Sequence, residues 1–221
     1  MMIKKIIIFD LDDTLYKEIN YLRSAYQEIS RKIASEVKVD SEIIYSDMLL
    51  MYFDKRNVFA SILKKYSING FSPADLLNIY RGHYPDIKLS PSIKNVLDNL
   101  KNSDVELGLI TDGRSIQQRN KIKSLGLDLI FKYIIISEEF GTEKPAINNY
   151  KFFENLFGKG VYYYVGDNIK KDFVSPNALG WKTICLLDDG NNIHAQDFSI
   201  SKEYQPKFVI KKISEIQGII D

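Results

Sequence analysis

Short apolar segments rich in β-branched residues recur along the chain, and each one stops abruptly at polar residues. The first covers residues 3–9 and is followed by the polar sequence Asp-Leu-Asp-Asp-Thr. Strands that are apolar on both faces are typical of a parallel sheet with both sides covered. The same pattern predicts further strands at residues 105–110, 133–136, 161–165, 183–187 and 208–210.

The intervals between these strands from residue 88 onward carry helical patterns. One helix is predicted to begin at Ser90-Pro91, because a capping residue followed by proline favours a helix start. Two later helices are predicted to end at Gly126 and Gly158, since glycine readily adopts the left-handed conformation that terminates helices. In the first of these two, Ile116, Arg119, Ile122 and Leu125 recur at helical spacing and mark one predicted face.

Residues 16–85 interrupt the alternation of strand and helix. They contain no convincing β pattern, and their apolar residues recur at helical spacing, as in segment 26–37. Pro85 marks the exit, because the residue before a proline is disfavoured in helices. We therefore predict an α/β fold with a doubly wound, Rossmann-like parallel sheet formed by residues 1–15 and 86–221. The interrupting residues would form a small helical cap domain inserted into it.

Composition limits the kinds of partner that this chain can have. Its 221 residues contain 30 Lys and Arg against 29 Asp and Glu, so the net charge of +1 creates no field that attracts nucleic acid or anionic membranes. The single cysteine, Cys185, excludes an internal disulfide. No apolar stretch approaches the roughly 20 residues of a membrane span, and the first apolar run stops too early for a secretion signal. We expect a soluble cytoplasmic protein without nucleic-acid or membrane partners, and the oligomeric state stays open.

Acidic residues collect at the ends of two predicted strands. Asp10 and Asp12 follow the first strand, Asp167 follows the fourth, and Asp172 lies a few residues further on. If these strands are neighbours, the acids share a small space, because the carboxyl ends of parallel strands meet at one edge of the sheet. Carboxylates this close together repel each other when ionised, so they stay partly protonated unless a cation binds them. A site of oxygen ligands without cysteine or histidine favours Mg²⁺, which is the predicted cofactor.

Two further strand ends carry groups that complement these acids. Thr111 ends the second strand and offers a hydroxyl, and Lys144 follows the third strand and offers an ammonium group. A hydroxyl, a lysine and a magnesium ion together can hold a phosphoryl group, so we predict that Thr111 and Lys144 bind phosphate. A carboxylate in line with that group supplies a nucleophile. The sequence therefore predicts covalent phosphoryl transfer.

Four groups of residues resemble the motifs of the haloacid dehalogenase-like hydrolases in type, order and spacing. They are Asp10-Leu11-Asp12-Asp13-Thr14, Thr111, Lys144-Pro145, and Gly166-Asp167 through Asp172. The helical segment between the first and second groups resembles the cap of the family's subfamily I. The start Phe-Asp-Leu-Asp-Asp-Thr-Leu resembles that of its small-metabolite phosphatases.

The resemblance implies the roles of the acids. Asp10 would attack phosphorus to form an aspartyl-phosphate, and Asp12 would protonate the leaving oxygen and later activate water. Mg²⁺ would be held by Asp10, the backbone carbonyl of Asp12 and Asp167, with Asp172 as a ligand or as an acceptor beside the ligands. The family's dehalogenases use a metal-free site without an acid two residues after the nucleophile, so Asp12 and the pair Asp167 and Asp172 argue against dehalogenation.

These roles predict a Mg²⁺-dependent phosphatase that hydrolyses a small phosphorylated metabolite, either a sugar phosphate or a nucleotide. A phosphomutase of the same family is an alternative, in which the phosphoryl group returns to another hydroxyl of a bound sugar. A non-enzymatic module that is phosphorylated, or that binds a ligand, is a second alternative. It fits less well, because signalling receiver domains do not carry the acceptor on the first strand with a helical insert after it.

Several polar and aromatic residues receive no role at this stage. His194 lies near no motif, and the polar segment 188–204 contains no recognisable pattern. Tyr162, Tyr163 and Tyr164 are interpreted as strand residues whose hydroxyls reach the surface or a partner.

Overall fold

The parallel sheet is the framework of the molecule. The computed structural model describes residues 3–220, so the terminal positions 1, 2 and 221 of the predicted core lie outside the described residues. Within that range six parallel strands form one sheet in the order β3-β2-β1-β4-β5-β6, which confirms the predicted doubly wound fold. The strands are β1 (Lys5–Phe9), β2 (Val105–Thr111), β3 (Tyr133–Ile136), β4 (Val161–Gly166), β5 (Lys182–Leu186) and β6 (Phe208–Ile210).

The first strand occupies the centre of the sheet and fixes where the polar loop emerges. β1 pairs with β2 on one side and with β4 on the other, and Phe9 lies opposite both Leu109 and Val165. The backbone N–H of Asp10 donates to the carbonyl of Val165 at 2.8 Å. The strand order reverses at this point, which is where doubly wound sheets bind ligands. The strands β1 and β4 are therefore neighbours, as the predicted cluster of acidic residues requires.

Both faces of the central strand are buried, as the continuous apolar pattern predicts. Ile7 and Phe9 point into one apolar core, and Ile6 and Ile8 point into the core on the opposite face. The strand β1 begins at Lys5, two residues later than predicted. Ile3 precedes it and is 71% exposed.

Helices cover both faces of the sheet or lie between β1 and β2. Their bounds are α1 (Glu18–Val37), α2 (Ser41–Phe53), α3 (Val58–Lys65), α4 (Pro73–Gly82), α5 (Pro91–Lys101), α6 (Ser115–Ser124), α7 (Ser137–Phe140), α8 (Ile147–Phe157), α9 (Val174–Ala178) and α10 (Gln217–Ile220). In the part of the chain that the structure describes, no helix combines the length and the apolar character needed to cross a membrane.

Helices α1 to α4 pack around an apolar cluster of their own. Ile29, Ile33, Met48, Ile62 and Leu76 are fully buried in this cluster, which is separate from the two clusters on the sheet. We propose that these helices form the inserted cap domain, and we call them the helical insert. Its position directly after β1 brings its first helix close to the polar loop that starts at residue 10.

The buried face of α6 differs in part from the predicted one. Ile116 is 66% exposed, and the exposed Arg119 forms an ion pair with Glu139 instead of entering the core. The helix buries Gln118 and Lys121 beside Ile122. Ile122 and Leu125 are buried as predicted, but the prediction was wrong for Ile116 and Arg119, because part of the inner side of α6 faces the carboxylate of Asp12.

Gly108 in β2 provides a test of how tightly helix α8 packs on the sheet. A Cβ atom at this position would overlap the ring of Phe153 and lie 2.7 Å from Cδ1 of Ile8. We expect Gly108→Ala to lower the free energy of unfolding by about 1–3 kcal/mol, since overpacked cores must shift their side chains. Urea unfolding would measure this change. Gly82→Ala is the matched control, because its Cβ would meet nothing within 4 Å, and an equal loss in both variants would contradict the prediction.

Candidate active site

The predicted site residues converge at the carboxyl edge of the sheet. Asp10, Asp12, Thr111, Lys144 and Asp167 line one cavity of about 190 Å³. They come from the ends of β1, β2 and β4 and from the loop after α7. The sixth predicted residue, Asp172, is fully buried and contacts Lys144, which lines the cavity.

Lys144 links two buried carboxylates. Its Nζ lies 2.6 Å from Oδ1 of Asp10 and 2.7 Å from Oδ1 of Asp172. Its backbone N–H donates to Oδ1 of Asp112 at 2.9 Å, which fixes the loop that carries it. Burial alone would lower the pKa of Lys144, but the two carboxylates outweigh this effect and hold its pKa well above the ordinary value. The side chain therefore presents a permanent ammonium group to the cavity.

Asp172 organises the loop after β4. Its Oδ2 accepts hydrogen bonds from the backbone N–H groups of Asp167 at 3.1 Å and Asn168 at 2.8 Å. Its Oδ1 accepts from Lys144 and, at 3.3 Å, from the hydroxyl of Tyr164. The interpretation that this tyrosine hydroxyl reaches the surface or a partner was wrong. Tyr164 is fully buried, and its hydroxyl donates to Asp172 inside the protein.

Three carboxylates form a group that fits a divalent cation. Oxygen atoms of Asp10, Asp167 and Asp172 all lie within 4.8 Å of one another. Burial raises the pKa of Asp10 to about 7, although Lys144 opposes this shift. Burial together with the charges of Asp172 and Asp10 raises the pKa of Asp167 to about 9. Buried oxygen ligands whose ionised forms repel one another are suited to Mg²⁺, which would relieve the repulsion.

The carboxylate of Asp12 points away from this group and toward α6. Its Oδ1 accepts hydrogen bonds from Nζ of Lys121 at 2.7 Å and from the hydroxyl of Tyr16. Its Oδ2 accepts from Nε2 of Gln118 at 2.9 Å. Burial would raise the pKa of Asp12, but Lys121 and the hydrogen bonds outweigh burial and lower it. Sequence reasoning missed Lys121 and Gln118, since a buried lysine and a buried glutamine break the helical pattern on which it relied, and it gave Tyr16 no role.

A polar loop after β5 also reaches the site, although the segment 188–204 showed no motif. Nδ2 of Asn192 donates to Oδ2 of Asp167 at 2.9 Å, and Nζ of Lys17 donates to Oδ1 of Asn192 at 2.7 Å. The side chain of Gln196 donates to the backbone carbonyl of Asp167 at 2.8 Å. His194, to which no role was assigned, lines the cavity. This loop therefore fixes the orientation of Asp167.

Comparison with known proteins identifies the family. The model of the haloacid dehalogenase-like hydrolases matches residues 7–186, which span the sheet from β1 to β5. The chain belongs to the haloacid dehalogenase-like hydrolases. The predictions of family, of fold and of a hydrolase are thereby confirmed. The roles of the individual site residues stay predictions.

Relatives of this hydrolase match it over nearly its full length. A glyceraldehyde 3-phosphate phosphatase from Methanocaldococcus jannaschii is 28% identical, and the match covers 95% of this chain and 98% of the relative. A protein of the same name from Methanopyrus kandleri is 26% identical over 96% of this chain and 99% of its own. Among solved structures, a HAD-superfamily hydrolase of subfamily IA, variant 1, from Geobacter sulfurreducens shares the fold with a TM-score of 0.65. It is 17% identical over 99% of this chain and 97% of its own.

Proposed function

We propose that this hydrolase is a Mg²⁺-dependent phosphatase that removes the phosphoryl group from a small sugar phosphate through an aspartyl-phosphate on Asp10. The observation that carries the proposal is the position of the Lys144 ammonium, 2.6 Å from Asp10 in a cavity shared with Thr111 and Asp12. This set combines a nucleophile, a cationic clamp, a hydroxyl donor and a second acid. The names of the relatives support a triose phosphate as the substrate.

The metal site in this proposal uses the buried acids. Asp10, Asp167 and the backbone carbonyl of Asp12 would hold Mg²⁺, and Asp172 would serve as a further ligand or as the acceptor that fixes the loop. The two backbone N–H groups on Oδ2 of Asp172 favour the second role for that residue. When bound, the ion neutralises negative charge on the carboxylates and on the phosphoryl group.

In the first step a carboxylate oxygen of Asp10 attacks phosphorus, and the bond between phosphorus and the sugar oxygen breaks. Thr111 and Lys144 donate hydrogen bonds to the phosphoryl oxygens as charge develops on them. Asp12 gives its proton to the departing alkoxide. The negative phosphoryl group beside Asp12 opposes the influence of Lys121 and favours the protonated carboxyl that this step needs.

In the second step a water molecule attacks the phosphorus of the aspartyl-phosphate. Asp12, now ionised, takes a proton from that water, and the bond between phosphorus and the oxygen of Asp10 breaks. Inorganic phosphate leaves, and both carboxyl groups return to their starting states. The same side chain thus acts first as an acid and then as a base.

The size of the cavity supports a small substrate. Its volume is about 190 Å³, and Glu18 of the helical insert forms part of its wall. A cavity of this volume favours a small metabolite over a phosphorylated side chain on a folded protein. The proposed substrate is accordingly a phosphorylated metabolite, with no role for nucleic acid or a membrane.

A substrate panel tests the proposed function. We expect phosphate release from triose, pentose and hexose phosphates and nucleotides to depend on Mg²⁺, to stop with EDTA, and to show the highest kcat/KM for glyceraldehyde 3-phosphate. The Asp10→Asn variant supplies the blank, because it lacks the nucleophile.

Three results would contradict this proposal in different ways. Equal release by the wild type and Asp10→Asn would exclude Asp10 as the nucleophile. Conversion of a hexose phosphate into an isomer without release of phosphate would identify a phosphomutase. A phosphorylated protein that persists for minutes without turnover would identify a non-enzymatic module.

A further inference from the structure

The inward face of α6 carries two polar side chains that a helix on an apolar core would not bury. Gln118 and Lys121 are each only 1% exposed, and they lie one helical turn apart on the same side of the helix. Burying a charged or amide group is unfavourable unless hydrogen-bonding partners compensate. The partners of these two side chains therefore indicate what they do.

Each of the two side chains holds a different oxygen of the same carboxylate. Nζ of Lys121 lies 2.7 Å from Oδ1 of Asp12, and Nε2 of Gln118 lies 2.9 Å from Oδ2. Rotation of the carboxylate about its Cβ–Cγ bond would break both interactions. Nε2 of Gln118 also donates to Oγ1 of Thr111 at 2.5 Å, so one side chain connects the acid with the phosphate-binding hydroxyl.

Lys121 is itself fixed from the side of the helical insert. Its Nζ lies 3.7 Å from Oε1 of Glu18 and 4.6 Å from the centre of the ring of Tyr21, both on α1. An ammonium group with these contacts cannot move away from Asp12 without losing a carboxylate and an aromatic face. The lysine is therefore a rigid support for the carboxylate.

We infer that Gln118 and Lys121 are positioning residues, which hold the carboxylate of Asp12 in the orientation that transfers a proton to the leaving group. The inference rests on the proposed function, because Asp12 has this task only if the chain transfers phosphoryl groups. Neither side chain is among the described residues that line the cavity. Both therefore act through Asp12 and Thr111, without direct contact to the substrate.

The leaving group of the substrate separates this role from a structural one. A sugar alkoxide is a strong base and needs the proton of Asp12 while its bond to phosphorus breaks. p-Nitrophenolate is a weak base and leaves without a proton. Loss of the orientation of Asp12 should consequently slow the first step for a sugar phosphate and spare it for p-nitrophenyl phosphate. A variant that merely contains fewer folded molecules would be slowed equally on both.

The experiment compares Lys121→Met and Gln118→Leu with the wild type in single turnovers with excess enzyme and Mg²⁺. For glyceraldehyde 3-phosphate we expect release of the alcohol product to slow at least about tenfold in both variants. For p-nitrophenyl phosphate we expect less than about threefold slowing. Lys123→Met and Gln117→Leu, neighbours on the same helix, are the matched controls and should keep wild-type rates on both substrates.

A second measurement uses Asp12→Asn as the background. Adding Lys121→Met to that variant should change the sugar-phosphate rate by less than about twofold, because residues that act through one another are not additive. Melting curves identify folded variants. If Lys121→Met fails to fold, because Asp12 and Glu18 lose their cation, Gln118→Leu provides the test, since it removes no charge.

Two outcomes would overturn the inference while the proposed function survives. Equal slowing on both substrates in folded variants would show a structural role. Unchanged turnover of the sugar phosphate would show that neither side chain positions Asp12. A wild-type protein that is inactive on both substrates would instead overturn the proposed function, and this inference with it.

Discussion

Lys144→Met should lower turnover by at least about 10²–10³-fold, because the variant lacks the ammonium group that we propose stabilises charge on the phosphoryl oxygens. It should also lower the free energy of unfolding without Mg²⁺ by about 3–5 kcal/mol, the usual effect of removing one partner from a buried ion pair. The physical reason is the position of Nζ between Asp10 at 2.6 Å and Asp172 at 2.7 Å. Without it two buried carboxylates face each other uncompensated.

Urea unfolding in EDTA and in Mg²⁺ measures this effect on stability. Lys171→Met is the matched control, because Lys171 forms an ion pair with Asp112 at 3.0 Å but its side chain is 42% exposed. Exposed pairs contribute at most about 1 kcal/mol, so the control should lose little. Equal losses in the two lysine variants would contradict the role of Lys144 as the cation between the buried acids.

Asp167→Asn should stabilise the protein in EDTA and remove its response to Mg²⁺. Asp167 lies close to Asp10 and Asp172, and the amide that replaces it carries no charge. The amide oxygen can still accept the hydrogen bond from Asn192, so the loop keeps its support. For the wild type, Mg²⁺ at a hundredfold excess over its Kd should add about 2.7 kcal/mol of stability. This corresponds to a rise in Tm of about 5–10 °C, which the variant should lack.

The pH dependence of the metal-free protein follows from the same carboxylates. The folded pKa of Asp167 is about 9 and that of Asp10 is about 7, and both exceed the ordinary value of 3.8. Unfolding releases their protons, so their contribution to stability is complete at acidic pH and is lost as the pH rises toward 9. Tm in EDTA should therefore fall over this range. The fall should be smaller in Asp167→Asn and unchanged in the exposed control Asp128→Asn. A wild-type Tm that stays level would contradict the prediction.

The sheet and its acidic edge could be predicted because local pattern and topology agree. Strands that are buried on both faces appear in the sequence as continuous apolar runs, and the chain must leave each run at the same edge of a parallel sheet. Asp10, Thr111 and Asp167 stand directly at such exits. Their meeting in one cavity follows from strand order alone.

The polar part of the inner face of α6 could not be predicted from helical periodicity. That pattern assigns apolar residues to the inside, but this inside faces Asp12, which lies 106 residues from Gln118 and 109 residues from Lys121 in the chain. Only the assembled sheet brings the carboxylate to the helix. Polar residues on the inner side of a helix near a strand end are the signal that would have indicated it.

The loop after β5 escaped prediction for a different reason. Asn192 and Gln196 contact Asp167 from a segment without regular secondary structure, where no periodic pattern exists. Side-chain amides in such loops are common, and hydrogen bonds to distant groups leave no trace in the local sequence. The contacts of this loop with Asp167 are evident only from the distances in the folded chain.

The start of the helical insert contacts its end and the segment that follows it. The hydroxyl of Tyr21 donates to the carbonyl of Tyr80 at 2.6 Å, and the backbone N–H of Asp86 donates to Oγ of Ser24 at 2.8 Å. An insert whose ends are adjacent places no demand on the spacing of β1 and β2. The later helices of the insert can therefore vary without changing the sheet, whereas α1 is tied to the acidic site, because Glu18 and Tyr21 contact Lys121.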